Sequence, residues 1–375
     1  MRYSSAYKIA IMLLLLSGCV EKFNPDIKEN KNLLVVEGMV TDQPESYKIK
    51  LSISQPVTGA TTKTVLSGAT VSVSDNDGNS YPFTEYRPGE YRSDSTRFRG
   101  EIGKKYSLHV NTSSTIIGDF NFQSYPVELK EVPLIDSVYY ERVVTGIDQY
   151  NNQVEGCQIY LDTHDDSGKC NYYRWTYSET WEFHLRWDLP NSVCWRTENS
   201  YDINLKNTAD LAENRINRFP LHFVDNSTDR LGVEYSILVS QYSVSEDEFN
   251  FWTKVKNVTQ DVGGLYDVIP ASINGNITCV EDPSRQVLGY FSVSGKATKR
   301  IFTKGLFSGQ KNFYTNCISD TIKNHNPIQG VGEYVWILYV HDLGPYYVLI
   351  TNNKSCADCT TRGTNVKPDF WVTTY

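Results

Sequence analysis

Cysteines are the residues of this chain with the widest chemical scope, and seven of its eight lie in the C-terminal part. These seven are Cys157, Cys170, Cys194, Cys279, Cys317, Cys356 and Cys359. The last two form a C-x-x-C pattern, which can serve as a redox dithiol, as zinc ligands or as two separate disulfide partners. No helical period follows the pattern and no further zinc ligands lie close to it, so structural disulfides are favoured. Seven cysteines allow up to three bridges and one leftover thiol, and the sequence leaves the pairing open.

Two groups of carboxylates could bind a metal ion. Asp162, His164, Asp165 and Asp166 offer oxygen and imidazole ligands, but Asp-Asp-Ser-Gly between two strands is also an ordinary hairpin turn. The pattern at 75–78, Asp-Asn-Asp-Gly, resembles the front half of a calcium loop without the distal glutamate. Turns are favoured at both places, and no motif of a known hydrolase or phosphate loop occurs. We therefore predict no catalytic residue, metal site or cofactor, while a triad assembled across the fold stays an alternative.

The N-terminus carries the signs of an export signal. Arg2 and Lys8 are basic, and residues 9–16 form an apolar run that is too short to cross a bilayer as a helix. The following Leu-Ser-Gly-Cys, which ends at Cys19, resembles the lipobox of bacterial lipoproteins, in which the cysteine is acylated and becomes the N-terminus. We expect residues 1–18 to be a signal peptide and Cys19 to be lipidated, so that its acyl chains bind the membrane. A plain secretory signal and an uncleaved anchor are the alternatives.

Composition narrows the class of protein. The chain has 375 residues, a formal charge of −8 and 13% aromatic residues. This length suits two domains, and the negative charge argues against a nucleic-acid partner. Short alternating patterns outnumber helical ones, which is typical of an exported, mainly β protein.

The strand patterns predict the domain organisation. After a polar tether at 19–31, about seven short strands between residues 32 and 126 favour an immunoglobulin-like or transthyretin-like sandwich. In one of them, Tyr47, Ile49, Leu51 and Ile53 alternate with polar residues. Residues 127–375 then form a larger, cysteine-containing β-rich domain.

Two elements of the second domain stand out. From Tyr173 to Trp187 nearly every second residue is aromatic or aliphatic, which predicts a strand whose apolar face is either core or a ligand-stacking platform, with core favoured. Glu179 interrupts this face, so we expect a bend or a split there. One helix is predicted at about 246–258, with Ser245 and Glu248 forming a capping box. Its core-facing stripe is predicted at Phe249, Trp252, Val255 and Lys256.

Several local patterns carry a resemblance to a family. They are Tyr172-Tyr173-Arg174-Trp175, Glu179-Thr180-Trp181-Glu182-Phe183, Arg218-Phe219-Pro220, Ser245 to Trp252, Gly275-Asn276-Ile277, Asp282-Pro283, Gly289-Tyr290-Phe291, Cys356-Ala357-Asp358-Cys359 and Lys367-Pro368-Asp369-Phe370-Trp371. Together with the lipobox they resemble an uncharacterised family of Gram-negative outer-membrane lipoproteins, known as a domain of unknown function. The resemblance implies a lipid-anchored protein of the outer membrane, often encoded near a TonB-dependent transporter, and carries over no catalytic residue.

The expected function is that of a non-enzymatic accessory lipoprotein that binds a ligand or partner of an outer-membrane transport system, possible partners including a TonB-dependent transporter. The alternatives are an envelope enzyme acting on glycan or peptide and a structural surface or adhesion lipoprotein. The side of the membrane that the protein faces is left open.

Overall fold

The computed structural model describes residues 32–54, 64–261, 273–303, 305, 307–308, 317–318, 320–323, 336–341 and 347–372. The predicted signal peptide, Cys19 and the tether lie outside these residues. The described part is mainly β, with one α-helix and four sheets, which confirms the predicted fold class. Within it, no helix is both long and apolar enough to span a bilayer.

The strands that precede residue 130 all belong to the first sheet. They are β1 (Leu34–Thr41), β2 (Lys48–Ile53), β3 (Thr64–Val65), β4 (Thr70–Asp75), β5 (Ser80–Arg87), β6 (Glu90–Ser93), β7 (Lys105–Ser114), β8 (Gly118–Ser124) and β9 (Val127–Glu128). The alternation predicted for β2 is present, since Ile49 and Leu51 are buried and Lys48 and Lys50 are exposed.

The later elements comprise thirteen strands, one α-helix and three short 3-10 turns. They are β10 (Ile135–Ile147), β11 (Gln153–His164), β12 (Tyr172–His184), β13 (Val193–Asn199), β14 (Asn204–Asn207), β15 (Arg215–Val224), β16 (Glu234–Ser243), α1 (Glu246–Asp261), β17 (Ile277–Cys279), β18 (Leu288–Ser294), β19 (Lys296–Phe302), β20 (Asp320–Lys323), β21 (Trp336–His341) and β22 (Tyr347–Thr351), with 3-10 turns at Asp229–Leu231, Lys354–Cys356 and Cys359–Thr361.

The first sheet has eleven strands and nearly closes on itself. Its order is β17-β8-β7-β4-β5-β6-β2-β1-β18, with β3 and β9 paired at the side. The two end strands are joined by one side chain, because Asn276 accepts from the backbone N–H of Phe291 at 2.9 Å and donates to its carbonyl at 2.8 Å. The Asn276 side chain thus takes the place of a backbone pairing between the two ends of the sheet, and we call this junction the seam.

Two glycines allow the backbones to meet at this seam. A Cβ on Gly275 would lie 1.7 Å from the carbonyl oxygen of Gly289. Gly289 has a φ of +95°, and a Cβ there would lie 1.9 Å from the carbonyl oxygen of Val36. Only a residue without a Cβ allows the backbones to approach this closely at either position, and glycine also tolerates the positive φ at position 289.

The first sheet also takes strands from the part of the chain that follows residue 126. Strands β17 and β18 come from the later part of the chain, and β18 pairs in parallel with β1 from Val35↔Leu288 to Thr41↔Ser294. The sandwich core therefore includes Ile277 and Phe291 as well as residues before 130. Sequence patterns identify strands but not long-range pairings, so the return of the chain was missed.

The second core lies between two smaller sheets. One has the order β10-β11-β15, and the other has the order β13-β12-β16-β19 with β14 beside β12. The inward-facing residues of β12 include Tyr173, Trp175 and Trp181, all of which are buried, so the aromatic face is core. The strand runs without interruption from Tyr172 to His184, and the predicted split at Glu179 is wrong.

The helix α1 begins at Glu246 as expected and ends at Asp261, three residues beyond the predicted end. Ser245 Oγ accepts from the N–H of Glu248 at 3.1 Å, which is one half of the capping box. The Glu248 side chain turns inward instead of back to the cap, and it accepts from Ser292 at 2.6 Å and from Trp252 at 3.1 Å. Glu248 is therefore buried beside Arg174 and does not form the second half of the capping box.

The buried stripe of α1 is also rotated from the predicted one. Phe251 and Val255 are buried against Tyr290 of β18, while Phe249 and Lys256 are only half-buried. Because Tyr290 belongs to the first sheet and Arg174 to β12, the helix fastens the two β bodies together.

Candidate functional site

Glu179 is a charged residue that is buried in the second core. It sits on β12 with 5% of its surface exposed, and its carboxylate accepts from the hydroxyl of Tyr235 at 2.9 Å. Arg230 Nε lies 3.3 Å from one carboxylate oxygen, and His222 Nε2 lies 3.5 Å from the other. Three elements, β15, β16 and the 3-10 turn after β15, thus supply its partners.

The electrostatics of this cluster stabilise the ionised carboxylate. Burial alone raises the pKa of Glu179, but the contact with His222 and the charge of Arg230 outweigh it, so the pKa lies below its ordinary value. Burial and the adjacent carboxylate raise the pKa of Tyr235 well above its ordinary value, so this phenol stays protonated. The buried charge is therefore compensated at neutral pH.

A second set of hydrogen bonds extends the cluster toward solvent. The ring of His222 packs against Tyr177 in a tilted arrangement with centroids 4.5 Å apart, and its Nδ1 lies 2.7 Å from the Tyr177 hydroxyl. The same hydroxyl bonds the carboxylate of Asp202, which is largely exposed. On the other side, Arg230 donates to Glu198 at 2.7 Å. We call Tyr177, Glu179, Asp202, His222, Arg230 and Tyr235 the ionic network.

The ionic network contains a phenol, an imidazole and a carboxylate, which are groups that transfer protons in enzymes. Here each of them bonds another protein group, and the network bridges β12, β15 and β16. In this geometry it holds the two sheets in register. Within the described residues, no group of three or more His, Cys, Asp or Glu side chains is arranged to hold a metal ion.

The outer face of β10-β11-β15 carries a strained residue, Arg218, with a φ of +53°. It lies in a bulge opposite Asp162, which accepts from the Arg218 N–H at 2.6 Å. Its guanidinium covers the ring of Tyr160 at 4.3 Å and makes a paired contact with Glu141. A left-handed backbone at a non-glycine residue is uncommon and costs roughly 1–3 kcal/mol, so the surrounding contacts must hold it. These contacts explain the Arg218-Phe219-Pro220 pattern as a bulge.

The carboxylates that could have bound a metal form turns. Asp165 accepts from Ser167 and from the N–H of Cys170, and His164 bonds Asp136 at 2.7 Å rather than a neighbouring Asp165. The hydrogen bond and charge of Asp136 raise the pKa of His164 above its ordinary value. Asp75 likewise accepts from the N–H groups of residues 77 and 79 in a hairpin turn.

The distal half of β10 and the turn that joins it to β11 form an exposed hairpin tip. All residues from 142 to 147 are exposed, and so are several apolar side chains, including Val144 (52%), Ile147 (65%) and Tyr150 (75%). The turn is well ordered by hydrogen bonds, because Asp148 accepts from the N–H groups of Tyr150 and Asn152. Bonds from Asn152 hold the pKa of Asp148 below its ordinary value. The sequence analysis identified the strands but did not single out this apolar tip.

Four of the seven cysteines form disulfides. Cys194 of β13 bonds Cys359, and Cys317 bonds Cys356. The C-x-x-C cysteines thus have different partners: Cys359 fastens the C-terminal segment to the second core, whereas Cys356 belongs with Cys317 to a smaller apolar cluster. Beyond Cys359, Trp371 is buried and donates to Glu182 at 3.1 Å.

The other three, Cys157, Cys170 and Cys279, are buried free thiols. The structure therefore has two bridges, one fewer than the largest number that the count allows. Burial raises the pKa of Cys157 to about 12 and that of Cys170 to about 11, so both are unreactive as thiols.

Sequence patterns do not reveal the ionic network, because its members are far apart in the chain. Glu179 was the one visible signal, as a charge on an otherwise apolar strand face. His222 is one of six histidines, and nothing local distinguishes it. Among the aromatic residues near the network strands, Tyr201 is 84% exposed, whereas Trp195 is buried.

Comparison with known proteins gives one family. No curated protein matches the chain. A family model described as a domain of unknown function, DUF4249, matches residues 20–300. The match includes the Asn276 seam, the ionic network and α1, whereas Cys317, Cys356 and Cys359 lie after it. Since it covers most of the sequence, the chain belongs to the DUF4249 family of proteins of unknown function.

Proposed function

We propose that the protein is an outer-membrane lipoprotein, anchored through acylated Cys19, that acts as a non-enzymatic partner-binding subunit of a transport system. The Leu-Ser-Gly-Cys sequence after a short apolar run supports the anchor. Two acyl chains hold a soluble domain far more firmly than one, so no spanning helix is needed.

The disulfides support export to an oxidising compartment. Cys194–Cys359 joins residues 165 apart, and Cys317–Cys356 joins residues 39 apart. Such bridges are rare in reducing cytosol and common in the bacterial envelope.

The exposed β10–β11 tip is the observation that carries the partner-binding role. On β10 residues 142–147 are all exposed, whereas on the facing strand β11 Gln153 is exposed and Val154 and Glu155 are half-buried, so the exposed apolar tip consists mainly of β10 and the turn. Natural proteins protect exposed strand edges with charges, prolines or short strands, but this tip presents Val144, Ile147 and Tyr150. An ordered, exposed apolar tip on a charged protein fits a protein partner better than a small substrate.

Affinity capture from gently solubilised membranes tests the proposal. The full chain is tagged at its C-terminus and compared with a variant carrying Val144→Ser, Ile147→Ser and Tyr150→Ser. We expect the unaltered chain to retain an outer-membrane transporter, identified by mass spectrometry. The variant should retain at least about tenfold less of it, which corresponds to a loss of about 1.4 kcal/mol in binding free energy.

The matched control is Tyr201→Ser, which removes an exposed aromatic residue elsewhere. It is expected to leave the capture unchanged. Equal recovery of the transporter by the hairpin variant would remove the tip from the proposal. An unaltered chain that takes up no labelled fatty acid, or a Cys19→Ala chain that takes up as much as the unaltered chain, would refute the anchor.

A further inference from the structure

The native disulfide pairing skips nearer cysteines along the chain. Cys194 pairs with Cys359, although Cys279, Cys317 and Cys356 come first. Cys317–Cys356 is nested inside this bridge. A chain that emerges N-terminus first therefore exposes Cys157, Cys170 and Cys194 long before the partner of Cys194 exists.

Loop entropy strengthens the bias toward wrong pairs. The probability that two residues meet falls with about the 3/2 power of the loop between them. Cys157 and Cys170 are separated by 13 positions, and the native partners Cys194 and Cys359 by 165. The nearer pair should therefore meet about 45-fold more often in an unfolded chain.

The core brings the same cysteines together during collapse. Cys157, Cys170, Cys194 and Cys359 all belong to the second hydrophobic core, and only the last two are bonded to each other. Cys157 and Cys170 are completely or almost completely buried as thiols. Oxidation of these two would fix β11 to the segment before β12 in a pairing that the native structure lacks.

We infer that this chain reaches its native state through disulfide isomerisation, and that a thiol–disulfide isomerase of the envelope is one of its partners. The inference rests on the export part of the proposed function and is independent of the hairpin and the transporter. Once the core has closed, burial keeps the two thiols protonated and therefore poor nucleophiles, so the native pairing persists.

The chemistry balances with glutathione disulfide as the oxidant. A cysteine thiolate attacks one of its sulfurs and releases one glutathione thiolate, and a second cysteine thiolate then attacks the mixed disulfide and releases the other. Each protein bridge therefore consumes two protein thiols and yields two glutathione thiols. Isomerisation follows when a free thiolate attacks a wrong bridge and displaces one of its sulfurs, which changes the pairing with no net oxidation.

Refolding of the reduced, denatured chain tests the inference. The full chain with Cys19→Ser is diluted into a glutathione redox buffer with or without a purified disulfide isomerase. Thiols are trapped at intervals and the bridges are mapped by mass spectrometry. We expect Cys157–Cys170 to exceed Cys194–Cys359 in the first samples by about 45-fold, and the isomerase to accelerate its replacement by the native bridges.

The variant with Cys157→Ala, Cys170→Ala and Cys279→Ala removes the competing thiols. It should form its two native bridges with little acceleration by the isomerase. If this variant fails to fold, the trapped bridges of the chain with all three thiols still decide the question. The inference is overturned if that chain forms Cys194–Cys359 first, or acquires both native bridges equally fast without the enzyme. Either result leaves membrane anchoring and partner capture, which are measured separately, untouched.

Discussion

Replacement of Glu179 by glutamine probes the ionic network with the least change of shape. The amide keeps an oxygen for the Tyr235 hydroxyl but removes the charge that faces Arg230 at 3.3 Å. Arg230 is only 27% exposed, so water compensates it poorly. Removing one partner of a buried ion pair costs about 3–5 kcal/mol. Because Gln keeps one hydrogen bond, we expect Glu179→Gln to cost about 3 kcal/mol.

Thermal unfolding measures this cost. For a β body of this size, about 3 kcal/mol corresponds to a decrease of about 6–12 °C in Tm. Near-ultraviolet circular dichroism is a suitable probe, since Trp181 lies 4.9 Å from the Arg230 guanidinium. Glu128→Gln, which alters an exposed carboxylate of the first sheet, is the matched control and should change Tm very little.

The pH dependence gives an independent test. The pKa of Glu179 is lower in the folded state, so its stabilising contribution is complete above the unfolded pKa of about 4.3. That contribution is lost as the pH falls through the lower, folded pKa. The difference between the two chains should therefore be full at neutral pH and should shrink below about pH 4.3. Equal Tm values at neutral pH would refute the reasoning that Glu179 is a compensated buried charge.

Three further perturbations test other parts of the fold. Gly289→Ala forces a Cβ against the carbonyl of Val36 at positive φ. It should lower the free energy of unfolding, measured in denaturant, by more than about 2 kcal/mol. A much smaller loss would contradict the close approach of the backbones at the seam. Removing both Cys194 and Cys359 opens a loop of 165 residues and should cost about 5 kcal/mol in the chain-entropy model, with an unchanged unfolding midpoint as the opposing result. Asp75→Asn should reduce Tm at neutral pH. Hydrogen bonds outweigh burial and lower the pKa of Asp75 to about 2, so the stability that the aspartate adds over asparagine should vanish as the pH falls from about 3.9 toward that value. A difference in Tm between the two chains that does not change with pH would contradict this assignment.

The local elements were largely predictable because their signals are local. Alternation identified β2 and the buried face of β12, and the Ser245 cap located the start of α1. The predicted face of the helix contained Phe249 where the structure buries Phe251, because the two are equally apolar and only the contact with Tyr290 distinguishes them.

The long-range features were not predictable from one sequence. The parallel pairing of β18 with β1 joins residues some 250 positions apart. The pairing of the cysteines depends on the same folding, and so does the approach of His222 to Glu179. The Gly275 and Gly289 patterns were recognised as part of a family resemblance, but their purpose becomes clear only when the two backbones are seen in contact.

Crosslinking in intact cells tests the proposed partner binding most directly. A photoreactive amino acid at position 147 of the full chain places the crosslinker on the exposed hairpin tip, and the same residue at position 201 serves as the reference. We expect illumination to yield a discrete adduct with an outer-membrane transporter from position 147 and none from position 201. Absence of that adduct, or equal adducts from both positions, would contradict the assignment of the hairpin as the partner-binding surface.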